Sequence, residues 1–250
     1  MSLSLAASSP VSSDGIYAPA TLAGRFIVAS QGHAHQRLYK RRQVLYYEES
    51  PAVGIYLVQT GRVKLYKVSP EGKQHILKLA ERGDVVALES ILASDSYTTT
   101  AEMIEEGTVW FLDRETALDL IAREPQMALE IMGTLSQELI KDAEERLDLA
   151  QSSVRERLAR LLTTLSQHHG ISEKRGIRIN VSLSREEMAE MIGTASETTM
   201  RLLKEFREDQ VVEVRGRQII VLDSSHFNFW WARTCPLKVR NTYGLSIKMY

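Results

Sequence analysis

The chain has 250 residues, of which 44% are apolar and 25% are charged, values typical of a globular protein with room for two domains. It contains no apolar run of about eighteen residues and begins without the basic and apolar regions of a signal peptide, so we expect neither a membrane span nor secretion. The net charge of −1 argues against a protein that coats nucleic acids without sequence specificity. Sequence-specific binding is still compatible with it, because positive charge can be confined to one face. The single cysteine, Cys235, excludes an internal disulfide and a cluster held by several cysteines of one chain, which favours the cytoplasm.

The first part of the chain is predicted to be a flexible tail, residues 1–23, followed by a β-domain, residues 24–122. In the second range, short alternating runs such as GIYLVQTG and VKLYKV are separated by turn signals every eight to twelve residues, roughly the spacing of an antiparallel sandwich or barrel. The expected turn positions are Gly54, Gly61, Gly72 and Gly83, with PEGK at residues 70–73 as the clearest hairpin.

A long helix is predicted over residues 123–151, because apolar residues recur at every third or fourth position for several turns. The residues on its apolar face are Met132, Leu135, Leu139, Ala143 and Leu147. We interpret this face as the seam of a parallel coiled coil that makes a homodimer. The alternative is a helix that packs along its own β-domain.

Residues 152–223 are predicted to contain a helix over residues 152–167, a short strand in GIRINVSLS, and two further helices in SREEMAEMIGTASETTMRLLKEF. Ser184 and Glu187 have the spacing of a capping box, and Ser196 is expected to cap the second helix of the pair after a turn at Gly193. The exposed face of that second helix is expected to carry Glu197, Met200, Arg201 and Lys204.

A β-hairpin is predicted after the helix pair, because apolar residues alternate on both sides of Arg215, Gly216 and Arg217. Two helices joined by a short turn and followed by such a hairpin indicate a winged helix-turn-helix that binds DNA. The alternative is an ordinary helical hairpin whose charged side faces water.

In this order the parts resemble one family, the cyclic-AMP receptor protein and FNR (CRP/FNR) superfamily of bacterial transcription regulators. The residues that carry the resemblance are GIYLVQTGRVKLYKVSPEGKQHILKLAERGDVV, VRERLARLL and LSREEMAEMIGTASETTMRLLKEF, and the resemblance covers about residues 30–222. It implies an α+β protein with an N-terminal antiparallel β-roll, like the double-stranded β-helix that binds cyclic nucleotides, a long dimerisation helix and a C-terminal winged helix-turn-helix. It further implies a homodimer on palindromic double-stranded DNA, with RNA polymerase as the protein partner.

The resemblance also implies which residues contact DNA. The family's glutamate and arginine, separated by three residues, are matched by Glu197 and Arg201, whereas Ser196 and Met200 depart from its two branches. Base reading is therefore expected from Ser196, Glu197, Met200 and Arg201. Phosphate contacts are expected from Ser184, Arg185, Thr198, Lys204, Arg215 and Arg217.

The sequence does not identify the signal to which the protein responds. Cyclic-nucleotide binding in the family needs a glycine–glutamate pair and an arginine, but Ala87 and Leu88 occupy the first two places and residues 96–101 offer mainly hydroxyls. No cofactor is predicted, and cyclic AMP is disfavoured because its phosphate would meet no cation. The segment is closer to the FNR branch, although the cysteine cluster of that branch is absent.

Three alternatives remain at this stage. The first is haem or a metal ion held by His33, His35 or His75. The second concerns Cys235, which lies in an atypical aromatic tail over residues 224–250 and is either a redox-active thiol or an inert buried one. Another is a small-molecule-binding β-roll with a degenerate DNA-binding half, against which Glu197, Arg201 and the basic hairpin argue. Catalysis is not expected, because no nucleophile triad, H-E-x-x-H motif or phosphate loop is present.

Overall fold

A computed structural model describes residues 21–222, apart from the side chain of Asp148, and the chain divides into two compact units between Lys141 and Asp142. Most of the predicted N-terminal tail and all of the aromatic tail, including Cys235, lie outside the described residues. Within residues 21–222, no helix is both long and apolar enough to cross a membrane.

The first unit is a β-roll of two four-stranded antiparallel sheets, with strand orders β1-β8-β3-β6 and β2-β7-β4-β5. Its elements are α1 (Leu22–Ala29), β1 (His35–Tyr39), β2 (Val44–Tyr46), β3 (Gly54–Val58), β4 (Arg62–Val68), β5 (Gln74–Ala80), β6 (Val85–Val86), α2 (Leu88–Ala93), β7 (Thr100–Glu105), β8 (Gly107–Asp113) and α3 (Arg114–Arg123). The antiparallel β-roll expected from the alternating runs and from the family resemblance is thereby confirmed.

Two short helices interrupt the β-pattern and correct the prediction. Helix α1 begins at Leu22, inside the range assigned to the flexible tail, because Ala23 and Phe26 are fully buried in the core of the β-roll. Helix α2 follows Ala87 and buries Leu88 and Ile91 in the same core. Each is a single turn or two, too short for helical periodicity to stand out from an alternating background.

Three of the four predicted turn glycines lie at turns, and Gly54 does not. Gly61, Gly72 and Gly83 have φ values of 78°, 79° and 96°, which glycine adopts without strain. Gly54 instead begins strand β3, where an added Cβ would lie 2.3 Å from the carbonyl oxygen of Leu112. Glycine is needed there because the neighbouring strand comes too close for a side chain.

The long helix is α4 (Pro125–Gln151), and it is separated from α3 by Glu124, so the predicted start at residue 123 is two residues early. Proline suits the first helical position because its missing N–H would have no partner there. The first turns of α4 pack on the β-roll through Met127, Ile131 and Leu135, which are spaced four residues apart.

The second unit combines helices and one antiparallel sheet of order β11-β12-β10-β9. Its elements are α5 (Val154–His169), β9 (Gly170–Glu173), β10 (Gly176–Ile179), α6 (Arg185–Ile192), α7 (Ser196–Glu208), β11 (Val212–Arg215) and β12 (Gln218–Val221). The helix pair, the strand before it and the hairpin after it were predicted, whereas β9 was not. The fold of this unit is a winged helix-turn-helix.

Candidate nucleic-acid interface

Helices α6 and α7 are joined by a tight turn at Gly193, which ends α6 with a φ of 62°. The capping box predicted at the start of α6 is present, since Ser184 Oγ accepts from the Glu187 N–H at 3.0 Å and Glu187 Oε2 accepts from the Ser184 N–H at 2.6 Å. The cap predicted for α7 is wrong. Ala195, in extended backbone, occupies the N-cap position, and Ser196 is already the first helical residue.

Helix α7 buries one face and exposes the other, as its sequence predicts. The buried side chains are Thr199, Leu202, Leu203 and Phe206, and the exposed ones are Glu197, Met200, Arg201 and Lys204. Met200 is 50% exposed although it is apolar, so it lies on the polar face without a covering partner in this unit. This exposed face has the form of a recognition helix.

A cleft of about 350 Å³ lies beside this face, between the starts of α6 and α7 and the tip of the hairpin β11–β12, which we call the wing. The side chains or backbone of Leu183, Ser184, Arg185, Glu186, Ser196, Met200, Gly216 and Arg217 line it. Five of the residues predicted to contact DNA therefore line one cleft, namely Ser184, Arg185, Ser196, Met200 and Arg217. They come from three separate parts of the chain.

Arg185 links the helix pair to the wing. Its Nη2 donates to the Gly216 carbonyl oxygen at 2.9 Å, and its Nη1 is buried with no hydrogen-bond partner among residues 21–222. Burial lowers the pKa of the Arg185 guanidinium below its ordinary value. Sequence reasoning assigned Arg185 to a phosphate, and the structure adds a contact that fixes the wing tip.

The remaining predicted phosphate contacts have different surroundings. Arg215 Nε lies 2.7 Å from Glu213 Oε1, and this hydrogen bond raises the pKa of Arg215 and lowers that of Glu213. Lys204 Nζ lies 3.8 Å from Glu208 Oε1, and Thr198 is partly buried. The two exposed cations are held by weak surface pairs, which a phosphate can replace.

Sequence reasoning missed one residue that supports the recognition helix from behind. Arg155, on α5, contacts Glu205 and Asp209 of α7 with Nη1–Oε2 and Nη2–Oδ2 distances of 2.5 and 2.7 Å. The segment VRERLARLL was noted for its apolar periodicity and for its resemblance to the family. Neither property indicates which distant side chains Arg155 contacts.

We expect Ser184→Ala to destabilise the second unit by about 1 kcal/mol, because it removes the side-chain half of the capping box. Urea unfolding of the full chain, followed by helical circular dichroism, measures the loss. Ser184→Asp is the matched control, since aspartate also caps helices but adds a negative charge to the cleft. It should unfold like the unchanged protein and bind DNA more weakly. Equal unfolding of Ser184→Ala and the unchanged protein would show that the cap contributes nothing.

The residues at the positions of the family's cyclic-nucleotide motif are buried or hydrogen-bonded to their neighbours. Glu89 Oε1 accepts from Thr98 Oγ1 at 3.2 Å, and Ala87 and Leu88 are buried. The rings of Tyr46 and Tyr97 stack with their centroids 3.9 Å apart. Burial raises the pKa values of both hydroxyls.

The histidines considered as ligands do not form a cluster in the described part of the chain. His33 Nδ1 lies 2.7 Å from the Ser30 carbonyl oxygen, a local contact after α1. Between residues 21 and 222, no group of three or more His, Cys, Asp or Glu side chains is arranged to hold a metal ion.

One face of helix α4 carries apolar side chains that are exposed among residues 21–222. This set, which we call the exposed stripe, comprises Leu129, Met132, Leu139, Ile140, Ala143 and Leu147. Leu135 differs from the other four predicted seam residues, because it is partly buried against the core of its own domain. Leu129 and Ile140 were not in the predicted set.

An antiparallel β-roll, a long helix and a winged helix-turn-helix with a cationic cleft define a two-domain, DNA-binding transcription regulator. The chain matches the family models of the cyclic nucleotide-binding domain over residues 36–124 and of the Crp-like helix-turn-helix domain over residues 156–226. It belongs to the CRP/FNR superfamily of bacterial transcription regulators.

Individual relatives come from both branches of this superfamily. The chain is 25% identical over 186 residues to the CRP-like cAMP-activated global transcriptional regulator of Mycobacterium tuberculosis, covering 74% of this chain and 83% of the relative. It is 27% identical over 172 residues to the fumarate and nitrate reduction regulatory protein of Vibrio cholerae, covering 68% and 67%. The solved structure of FixK2 from Bradyrhizobium japonicum shares the fold, with a TM-score of 0.70, 24% identity, and coverage of 78% of this chain and 96% of that one.

Proposed function

We propose that the protein is a cytoplasmic, homodimeric regulator that binds a palindromic promoter site through helix α7 of each subunit and acts on RNA polymerase. The observation that carries the proposal is the exposed face of α7, on which Glu197, Met200 and Arg201 lie beside a cleft lined by Arg185 and Arg217. A face of this kind fits the major groove, and the flanking cations fit the phosphates on either side.

The base contacts follow from the chemistry of two side chains. Arginine can donate two parallel hydrogen bonds to guanine O6 and N7, and glutamate can accept from cytosine N4. Arg201 and Glu197 are separated by one helical turn, so each suits one G·C pair of the half-site. Ser196 and Met200 complete the reading face, and we assign the flanking base positions to them.

Phosphate contacts are assigned to the two walls of the cleft and to the wing. Ser184, Arg185 and Thr198 lie near the starts of the two helices, where backbone N–H groups also favour an anion. Lys204 lies on the exposed face of α7, and Arg215 and Arg217 lie on the wing. Such contacts position the protein on DNA without carrying sequence information.

The exposed stripe supports the homodimer. Six apolar side chains that no neighbour covers within the described residues of one chain would be covered by the same stripe of a second copy. In a two-fold symmetric dimer on palindromic DNA, the two recognition helices would read half-sites about 34–36 Å apart.

We propose that regulation does not require cyclic AMP. Glu89, Ser90 and Thr98 hydrogen-bond to one another where a cyclic phosphate would need a cation. None of these three groups is a cation, so none of them can neutralise a phosphate. Any signal that does act on the β-roll would reach α4 through Met127, Ile131 and Leu135, and through the ion pair of Lys78 with Glu138.

The test is selection of binding sites from random double-stranded DNA with the purified full-length protein. We expect a palindrome with G·C pairs at equivalent positions of both half-sites, and the same palindrome and affinity in the presence of millimolar cyclic AMP. Absence of any enriched palindrome would contradict the function, and a requirement for cyclic AMP would contradict the assignment of the β-roll. An absorbance spectrum of the same preparation tests the haem alternative.

A further inference from the structure

Arg155 lies in the first turn of α5, away from the exposed face of α7, and is held there by three groups. Its Nη1 is 2.5 Å from Glu205 Oε2, and its Nη2 is 2.7 Å from Asp209 Oδ2. Its guanidinium carbon lies 4.9 Å from the centroid of the buried Phe206 ring. A planar guanidinium that meets two carboxylates and an aromatic face has little rotational freedom.

Glu205 is shared between Arg155 and the reading face. Its second oxygen, Oε1, accepts from Arg201 Nη1 at 2.8 Å. The two oxygens of one carboxylate are thus divided between an arginine of α5 and an arginine of the recognition helix. The result is a continuous chain of charge-assisted hydrogen bonds from Arg155 through Glu205 to Arg201.

This arrangement leaves one edge of Arg201 available. Nη1 is held by Glu205, and the edge formed by Nε and Nη2 has no hydrogen-bond partner among residues 21–222. That edge carries the two parallel N–H bonds that a bidentate contact with guanine uses. An unrestrained arginine would lose rotamer entropy on binding a base, and a partner that orients it beforehand reduces this loss.

Glu205 can orient Arg201 only if it is itself oriented. An exposed glutamate paired with an arginine one turn away on a helix is a weak, mobile pair. Arg155 restrains Glu205 from the other side and also balances its charge, so that the carboxylate repels nearby DNA phosphates less.

We infer that Arg155 is a positioning residue for base recognition, which holds Glu205 so that Glu205 presents the Nε and Nη2 edge of Arg201 to one base. Arg155 itself contacts neither base nor phosphate in this scheme. The inference rests on the proposed function, because it concerns the base that Arg201 reads in the selected palindrome.

The experiment measures the affinity of the protein for two DNAs, the selected palindrome and the same palindrome changed at the base pair that Arg201 reads. That base pair is identified as the one at which the Arg201→Ala variant loses its preference. We expect Arg155→Met to reduce the ratio of the two affinities about five-fold, the size of effect expected for one oriented ion pair. In the Arg201→Ala background the same change should leave the ratio unaltered, because the side chain to be oriented is absent.

Asp209→Asn is the matched control, since Asp209 also holds Arg155 but has no contact with Arg201. It should retain the ratio. If Arg155 only connects α5 to α7, then Arg155→Met and Asp209→Asn will weaken binding to both DNAs equally, and this result would overturn the inference. An unchanged ratio of affinities in Arg155→Met would overturn it as well.

Arg155→Lys covers the case in which Arg155→Met fails to fold. Lysine keeps a cation beside Glu205 but lacks the planar guanidinium that fixes the orientation of the Glu205 carboxylate, so the ratio should fall while binding to unrelated DNA is retained. A ratio equal to that of the unchanged protein would then contradict the inference. If the unchanged protein enriches no palindrome, the proposed function fails; if it enriches one and these ratios do not change, only the role of Arg155 fails.

Discussion

The double variant Leu139→Glu, Leu147→Glu is expected to be monomeric and to bind the selected palindrome at least about 100-fold more weakly than the unchanged protein. Both leucines belong to the exposed stripe of α4, and a carboxylate at each would be desolvated and would face its counterpart across the two-fold axis. Without the dimer, the two recognition helices bind separately, and the gain from linking two half-sites is lost. Sedimentation equilibrium measures the assembly, and fluorescence anisotropy measures the affinity.

Leu38→Glu is the control for this prediction. Leu38 is 66% exposed and Leu139 is 68% exposed, but Leu38 lies on strand β1 rather than on α4. The control should remain dimeric and should bind DNA normally. A double variant that stays dimeric with unchanged affinity would show that the exposed stripe is not the dimer interface.

Arg201→Ala is expected to lower the affinity for the preferred palindrome by about 1–3 kcal/mol per half-site and to remove the preference at one base pair. The loss has two parts, the bidentate contact with guanine and the orientation that Glu205 provides. Glu205 keeps Arg155 as a partner in this variant, so the helix pair should stay folded. Binding-site selection with the variant identifies the base pair, and anisotropy gives the affinity.

Lys204→Ala is the matched control on the same helix face. Lys204 is expected to contact phosphate, so its loss should weaken binding to all sequences equally and reduce the slope of log affinity against log salt by about one per subunit. If Arg201→Ala behaves in that way and retains every base preference, then Arg201 contacts phosphate and the proposed base assignment is wrong.

Local patterns in the chain were enough to place most of the DNA-binding unit. The capping box depends on Ser184 and Glu187, three residues apart, and the two faces of α7 depend on spacings of three and four residues. The wing tip depends on Gly216 and its immediate neighbours. Each of these features is decided by contacts within about one helical turn or one hairpin.

The errors have two different causes. Helices α1 and α2 were missed because each is short, so that burial against the core of the β-roll, and not periodicity, decides its structure. The N-cap of α7 fell on Ala195 and not Ser196 because the backbone of the turn, one residue shorter than expected, governs where the helix begins.

From its amino-acid order, this chain could be identified as a β-roll, a long helix and a winged helix-turn-helix with Glu197 and Arg201 on its exposed face. The chain order does not indicate that Arg185 holds the wing at Gly216, that Leu135 packs inward, or that Arg155 reaches Glu205, 50 residues away. Periodic patterns encode which side of an element is buried, because that depends on neighbours along the same helix or strand. Which distant side chain meets that element depends on how the packed elements approach each other, and this packing brings Arg155 to the recognition helix.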